Sequence, residues 1–275
     1  MSGEASPDRV VRLDLALVER GLARARGPAR ELIRDGHVLL DGLRASKASE
    51  PVSNRQQVEV KAPGPSWVGR GAAKLEAALN HWPELATADR RAADVGASTG
   101  GFTQVLLARG VREVWAIDVG HDQLAPILRS DPRVHELSGT SVRGLHPAMI
   151  GGGVDLLVAD LSFISLAAVM ADLRHLCAES ADLVLLIKPQ FEVGRARLGK
   201  KGVVKSAPDR EAAIRSVLAA ARECDLAFGG LLASPMTGSH GNHEYLVWLR
   251  RTPEAVGGTW QAVDHEIDMV MGTRT

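Results

Sequence analysis

The sequence predicts an α/β protein: a doubly wound, mostly parallel sheet with an antiparallel addition, preceded by a small α+β unit. Three observations carry this expectation. From Gly71 onward, helical and strand-like segments alternate, as they do when helices cover both faces of a parallel sheet. Residues 154–160 and 183–188 are nearly continuous apolar runs, which suit central strands buried on both sides. Between the first strand and the helix after it lies "DVGASTGGF", residues 94–102, a glycine-rich turn that lets a ligand approach the backbone closely.

The bulk composition fits a soluble protein in a reducing, cytoplasmic setting. The chain has 275 residues, 45% hydrophobic and 24% charged, with a formal net charge of zero. It is long enough for two cores. Balanced charge gives no global pull toward nucleic acid or membrane. The two cysteines, Cys177 and Cys224, stand in no CxxC or Cys/His cluster, so neither a disulfide scaffold nor a zinc site is expected. No apolar run is long enough for a signal peptide or a membrane span.

The element order begins in the small unit, residues 1–62. Leu13, Leu17, Val18 and Leu22 recur at helical spacing, and Gly21 ends that helix. A second helix follows, with Pro28 near its first turn and Gly36 just past its end. "HVLLDGLRA" reads as two strands about an Asp41-Gly42 turn, and "QVEVKA" as another. Residues 63–70, with Pro63, Pro65, Gly64 and Gly69, read as a linker. The large domain, 71–275, follows. Helices are expected at 72–81, 102–109, 164–176 and 209–223. Strands are expected at 92–95, 113–118, 134–137, 154–160, 183–188, 228–233 and 244–250, the last two close enough to pair antiparallel at one edge.

Charge is concentrated locally. Arg20, Arg24, Arg26, Arg30 and Arg34 face a single acid, Glu31, and Arg26, Arg30 and Arg34 share one helical face. Guanidinium groups suit two-pronged contacts to phosphate, so this face predicts RNA binding rather than a plain solvated surface. A second basic stretch, residues 192–205, holds Arg195, Arg197, Lys200, Lys201 and Lys205 among glycines. It reads as a mobile RNA-contacting loop.

Ligands of doubly wound sheets sit at the carboxyl ends of the strands. That places Asp94, Gly96, Ala97, Ser98, Thr99, Gly100, Gly101 and Phe102 around the ligand, with the next helix aimed at it. Asp118 and Val119, at the end of the second strand, are placed at a ribose. A nicotinamide dinucleotide competes with S-adenosylmethionine for such a site. The spacing G-x-x-x-G-G, in place of G-x-G-x-x-G, and the added antiparallel strand favour S-adenosylmethionine.

The reaction is read from strand ends. Asp160 and Lys188 close two strands, Glu244 opens another, and Lys74 lies in the helix before the first strand. Singly, each is an ordinary strand-end or helix-surface charge. Together they gather two lysines and two acids at the edge that holds the cofactor loop. Such a set orients a ribose hydroxyl and stabilises developing oxyanion charge. "DLSF" resembles the tetrapeptide of amino-group methyltransferases, but an amine acceptor needs no cationic cradle.

These stretches resemble known families. "RLDLALVERGLARARGPARELIRDGHVLLDGLRASK" is similar to the S4-type RNA-binding domain, with Ala25-Arg26 where Ser-Arg is usual. "WVGRGAAKL", "DVGASTGGFTQVLL", "DVGHDQL", "LLVADLSFISL", "IKPQFEVG" and "GNHEYLVWL" together resemble the TlyA family of ribosomal RNA methyltransferases, also called hemolysins, whose second domain is of the FtsJ type. The resemblance implies a Rossmann-like class I S-adenosylmethionine-dependent methyltransferase domain behind a small RNA-binding domain. It implies 2′-O-methylation of cytidine ribose in ribosomal subunits, and a link to capreomycin and viomycin susceptibility. It maps a Lys-Asp-Lys-Glu set onto Lys74, Asp160, Lys188 and Glu244. Where relatives have Thr-Asn, this chain has Thr140-Ser141, and Lys205-Ser206 replaces a usual His/Arg-Asp pair. The competing classes are a cytolysin and a non-catalytic RNA-binding or assembly protein. No metal and no membrane partner are expected.

Overall fold

The computed structural model describes residues 9–34, 36–60, 67–199, 202–252 and 259–272. The chain divides into two compact units, with the break between Ser66 and Trp67.

The first unit runs β1 (Val10–Arg12), α1 (Leu13–Glu19), α2 (Arg26–Arg34), β2 (Val38–Leu40), β3 (Leu43–Arg44), β4 (Pro51–Ser53) and β5 (Val58–Val60). Strand β2 lies between β3 and β5, antiparallel to both, and β1 pairs with β4. Asp41 and Gly42 both adopt positive φ, 50° and 81°, as a two-residue hairpin turn requires. The β1–β4 pair has no signal in the sequence, because three-residue strands are too short to show alternation. Leu13, Leu17, Ala29, Ile33, Val38 and Val52 form the core. The apolar stripe predicted for α1 is thus the face packed against α2.

The second unit contains α3 (Ala72–His81), β6 (Arg91–Val95), α4 (Gly101–Ala108), β7 (Glu113–Asp118), α5 (Pro126–Arg129), β8 (Val134–Ser138), β9 (Val154–Ala159), α6 (Leu166–His175), β10 (Cys177–Ile187), α7 (Pro189–Glu192), α8 (Ala207–Glu223), β11 (Ala227–Ala233), β12 (Tyr245–Arg251) and α9 (Val263–Met271). The sheet order is β11-β12-β10-β9-β6-β7-β8. Only β12 runs against its neighbours; the pairs β10–β9, β9–β6, β6–β7 and β7–β8 are all parallel. The antiparallel pairing of the last two strands is as expected. Its place differs: β12 is inserted between β10 and β11, so β11 alone forms that edge.

Alternate residues of the central strands feed opposite faces, as the two-residue period of a strand dictates. Leu157 and Ala159 join the core under α6 and α8. Leu156 and Val158 join the core under α3 and α4. Ile267 of α9, a helix absent from the sequence reading, seals the first of these cores. Trp67 and Val68 pack against the second core, and the Val68 N–H donates to Gln104 Oε1 at 2.8 Å. Residues 67–70, which composition assigns to the linker, are therefore built into the second unit. The rest of that expected linker, 63–66, lies outside the described residues. No described helix is long and apolar enough to cross a membrane.

The chain order reverses between β6 and β9: β7 and β8 lie on one side of β6, β9 and β10 on the other. The crevice at the carboxyl ends of these two strands is where such a sheet takes its ligand.

Candidate active site

The loop after β6 can be made only with glycine at two points. Gly96 has φ 85° and Gly100 φ 93°, values that strain any side chain. A Cβ on Gly96 would stand 2.8 Å from the Asp160 carbonyl oxygen, and one on Gly100 would run into Leu128 and Leu124. The loop is thereby pressed against the turn after β9 and opens α4 toward the crevice.

Asp94 anchors this loop from inside. Its Oδ2 accepts from the Thr103 N–H at 2.8 Å and from the Thr103 hydroxyl at 2.7 Å. Its Oδ1 is buried with no hydrogen-bond partner, and the residue lines the cavity described below. Burial pushes the carboxyl up to about 7, against the pull of the Thr103 bonds and with Asp160 and Asp118 adding repulsion. An orphaned buried oxygen on a residue that lines a cavity is a place for a ligand to bond.

Asp118 ties two loops together. Its Oδ2 accepts from the Ser98 N–H at 2.8 Å, and its Oδ1 from the Gly120 N–H at 2.7 Å. Ser98 Oγ and Gln123 Oε1 lie 3.1 Å apart, so the hydroxyl donates to the amide oxygen.

Across the crevice the four charges predicted from three strand ends and one helix come together. Lys188 Nζ is 2.6 Å from Asp160 Oδ1 and donates to Ser162 Oγ at 2.8 Å. Lys74 Nζ is 2.6 Å from Glu244 Oε2 and 3.9 Å from Asp160 Oδ2. Asp160 thus stands between two ammonium groups, and Glu244 holds the outer one. Lys74, Lys188 and Glu244 are buried, and Asp160 is partly open to the crevice. Lys74 is therefore not a surface residue of α3. Its partner Glu244 lies 170 positions away in sequence, and only the fold brings them together.

Two cavities meet here. One, of about 340 Å³, is lined by Lys74, Asp160, Lys188 and Glu244 together with Asp94, Gly96, Ala97, Ser98, Thr99, Gly101 and Phe102. The other, of about 470 Å³, is more apolar, with Ile117, Val142, Leu161, Phe163 and Ile164 beside Asp118, Val119, Thr140 and Ser141. Gly96, Ser98, Asp160 and Ser162 line both. Sequence reasoning missed Arg70, Ser162, Gln123, Met236, Thr237 and Gly238 as lining residues. Ser162 was within reach of it, two places after Asp160 in the quoted "DLSF". Gly238 has a role that only geometry reveals: a Cβ there would run into the Glu244 carboxylate. Among the described residues, no group of His, Cys, Asp or Glu stands where it could hold a metal ion.

The basic residues divide. Arg24 and Arg34 are exposed. Arg20 is exposed but turned onto its own unit, donating to the carbonyls of Gln56 at 2.7 Å and Ser53 at 2.8 Å. Arg26 and Arg30 are half-exposed and both reach the carboxylate of Asp14. In the loop after β10, Arg195 and Arg197 are exposed, and Arg197 lies 3.4 Å from Asp209. Lys200 and Lys201 lie outside the described residues. Ser206 caps α8, accepting from the Asp209 N–H.

Residues 67–251 match a family model described as FtsJ-like methyltransferase, and residues 11–58 match the S4 domain. The chain is 51% identical over 246 residues to the 16S/23S rRNA (cytidine-2′-O)-methyltransferase TlyA of Mycobacterium tuberculosis, spanning 88% of this chain and 90% of that one. It is 30% identical to Hemolysin A of Brachyspira hyodysenteriae, spanning 86% of this chain and 98% of that one. A solved structure named as a candidate hemolysin from Streptococcus thermophilus is 32% identical and superposes with a TM-score of 0.71, covering 98% of this chain and 97% of the other. Fold and crevice together define a class: methyltransferases of the FtsJ type carrying an S4 domain. Within that class, the chain belongs to the TlyA family.

Proposed function

We propose that the chain transfers a methyl group from S-adenosylmethionine to the 2′-hydroxyl of cytidine ribose in ribosomal RNA. The observation that carries this reading is the lysine–carboxylate set around Asp160, set directly against the glycine loop. S-adenosylmethionine supplies an electrophilic methyl group on a sulfonium. Its fit rests on three features: the Gly96–Gly100 cradle that a Cβ would fill, the orphaned Asp94 Oδ1, and an apolar cavity beside Asp118 with ample room for a purine. Asp118 is the ribose-gripping residue, each of its oxygens keeping a second lone pair after its backbone bond. Ala97, Thr99, Gly101, Phe102 and Val119 complete the walls.

The acceptor hydroxyl belongs beside Asp160. Lys188 and Lys74 place two ammonium groups where the ribose oxygen gains negative charge, and Glu244 and Asp160 fix their positions. The hydroxyl proton passes into the Lys188–Asp160 pair as the oxygen attacks the methyl carbon. Held this way, the oxygen meets the methyl carbon in line. Arg24, Arg26, Arg30 and Arg34, with Arg195, Arg197, Lys200 and Lys201, bind the RNA backbone, and ribosomal subunits are the partner. The setting is cytoplasmic. The test is transfer of labelled methyl from S-adenosylmethionine to isolated small and large ribosomal subunits. Label in the ribosomal RNA of either is expected; none in both would overturn the proposal.

A further inference from the structure

The first unit holds a charge arrangement that the arginine pattern alone does not reveal. Asp14, in the first turn of α1, is completely buried, yet it sits beneath a basic surface. Three guanidinium groups converge on its carboxylate. Arg12 approaches side-on, Nε at 3.0 Å from Oδ1 and Nη2 at 3.4 Å from Oδ2. Arg26 Nη2 is 3.0 Å from Oδ2, and Arg30 Nε is 2.9 Å from the same oxygen. All three side chains remain about half exposed. The bonds to Arg12, Arg30 and Arg26 hold the Asp14 carboxyl far below the usual carboxylate range in spite of burial, so it is ionised at any working pH.

The stoichiometry is unusual for a structural ion pair. One carboxylate against three guanidiniums leaves two positive charges in excess. Each guanidinium has five N–H donors in a rigid fork and spends at most two of them here. The remaining donors are left over by this carboxylate, on side chains that stay about half exposed to water. A free arginine must give up rotamer freedom to grip a phosphate, at a cost of about 0.5–1.5 kcal/mol per side chain. Arginines already fixed from below have surrendered that freedom in the unbound protein.

We infer that Asp14 is a positioning residue that presets Arg12, Arg26 and Arg30 as a three-pronged cradle for the RNA sugar-phosphate backbone. Arg12 thereby joins the RNA surface, although nothing in its spacing marks it. The inference rests on the RNA-docking reading above, and the two are separable. Charge counting alone says that removing an acid from a basic surface strengthens RNA binding. Preorganisation says the opposite.

The experiment is a set of binding titrations of the full chain with purified ribosomal subunits at several salt concentrations. Four proteins are compared: the parent, Asp14→Asn, Arg26→Ala/Arg30→Ala, and the triple variant. Asp14→Asn is expected to bind about ten-fold more weakly than the parent. In the triple variant it should add much less than that ten-fold, because most of the cradle it presets is already gone. Unchanged or tighter binding by Asp14→Asn, while the double arginine variant is weakened, overturns the positioning role and leaves the docking reading standing. A double arginine variant that binds as the parent does overturns the docking reading itself. If Asp14→Asn does not fold, as circular dichroism would show, the parent decides the matter. Nuclear magnetic resonance of the free protein should show slowly exchanging, ordered Nε–H groups for Arg12 and Arg30. Freely rotating, rapidly exchanging signals would overturn the inference.

Discussion

Removing Lys188 should separate catalysis from binding. In Lys188→Ala, Asp160 loses its 2.6 Å ammonium partner and keeps only Lys74, at 3.9 Å. The acceptor oxygen loses one of the two fixed positive charges beside it. Removal of one such preorganised group costs on the order of a hundred- to a thousandfold in rate, about 2.7–4 kcal/mol of transition-state stabilisation. The stability cost is smaller, because Asp160 is partly open to water and can be resolvated. A value of about 1–2 kcal/mol, well under that of a fully buried broken pair, corresponds to a fall in Tm of roughly 2–8 °C for a unit of this size. Lys188→Arg should not rescue, since its fork is too wide for a single oxygen and it does not give up a proton at working pH. The assay is single-turnover methylation of ribosomal subunits at saturating S-adenosylmethionine, with cofactor affinity measured by calorimetry alongside. A transfer rate within a few-fold of the parent would refute the role given to Lys188 and leave it a strand-end charge.

Other expectations follow from neighbouring contacts. Asp118→Ala should weaken S-adenosylmethionine binding at least ten-fold by calorimetry, because it removes the ribose grip and frees the Ser98 and Gly120 amides together; unchanged affinity contradicts it. Gly100→Ala should destabilise the second unit by more than about 1 kcal/mol in denaturant unfolding, because φ 93° and contact with Leu128 both disfavour a Cβ. A midpoint equal to the parent's contradicts that reading. Asp94 should make stability depend on pH with a definite sign. Its carboxyl, pushed by burial from an ordinary 3.8 up to about 7 in the fold, keeps a proton that the unfolded chain releases. Its contribution is therefore fully present below about pH 4 and is lost as pH rises to about 7, a swing of roughly 4 kcal/mol. Asp94→Asn carries no such titration, so its Tm relative to the parent should climb between pH 4 and 7; parallel melting profiles would contradict the assignment.

The strands and the crevice were legible because their signals are local. β9 and the second half of β10 are apolar runs, and the glycine loop between β6 and α4 has a spacing that few structures need. The convergence of Asp160 and Lys188 was inferable from strand ends, since a parallel sheet brings its carboxyl ends to one edge; Glu244 joins them because antiparallel β12 starts at that edge, and Lys74 comes from α3. Their pairing was not: which lysine faces which acid depends on β12 slotting between β10 and β11. β1, β4 and α7 are too short to show a period. Trp67 and Val68 were hidden by the prolines and glycines around them, although their apolar side chains fit a core better than a linker. The arginine face was legible as charge, but Asp14 was not, because a lone acid at the start of an amphipathic helix resembles any favourable N-terminal charge. Only the fold turns it inward beneath Arg26 and Arg30.

The most direct measurement is of the atom that receives the methyl group. After reaction with labelled S-adenosylmethionine, ribosomal RNA from treated subunits is digested with alkali and then with nucleases, and the labelled products are identified by mass spectrometry. A 2′-O-methyl group blocks alkaline cleavage at its own linkage, so label should emerge in alkali-resistant dinucleotides that release 2′-O-methylcytidine. Label released on a base-methylated mononucleotide would contradict the account, because the two lysines about Asp160 would then have no developing oxyanion to stabilise.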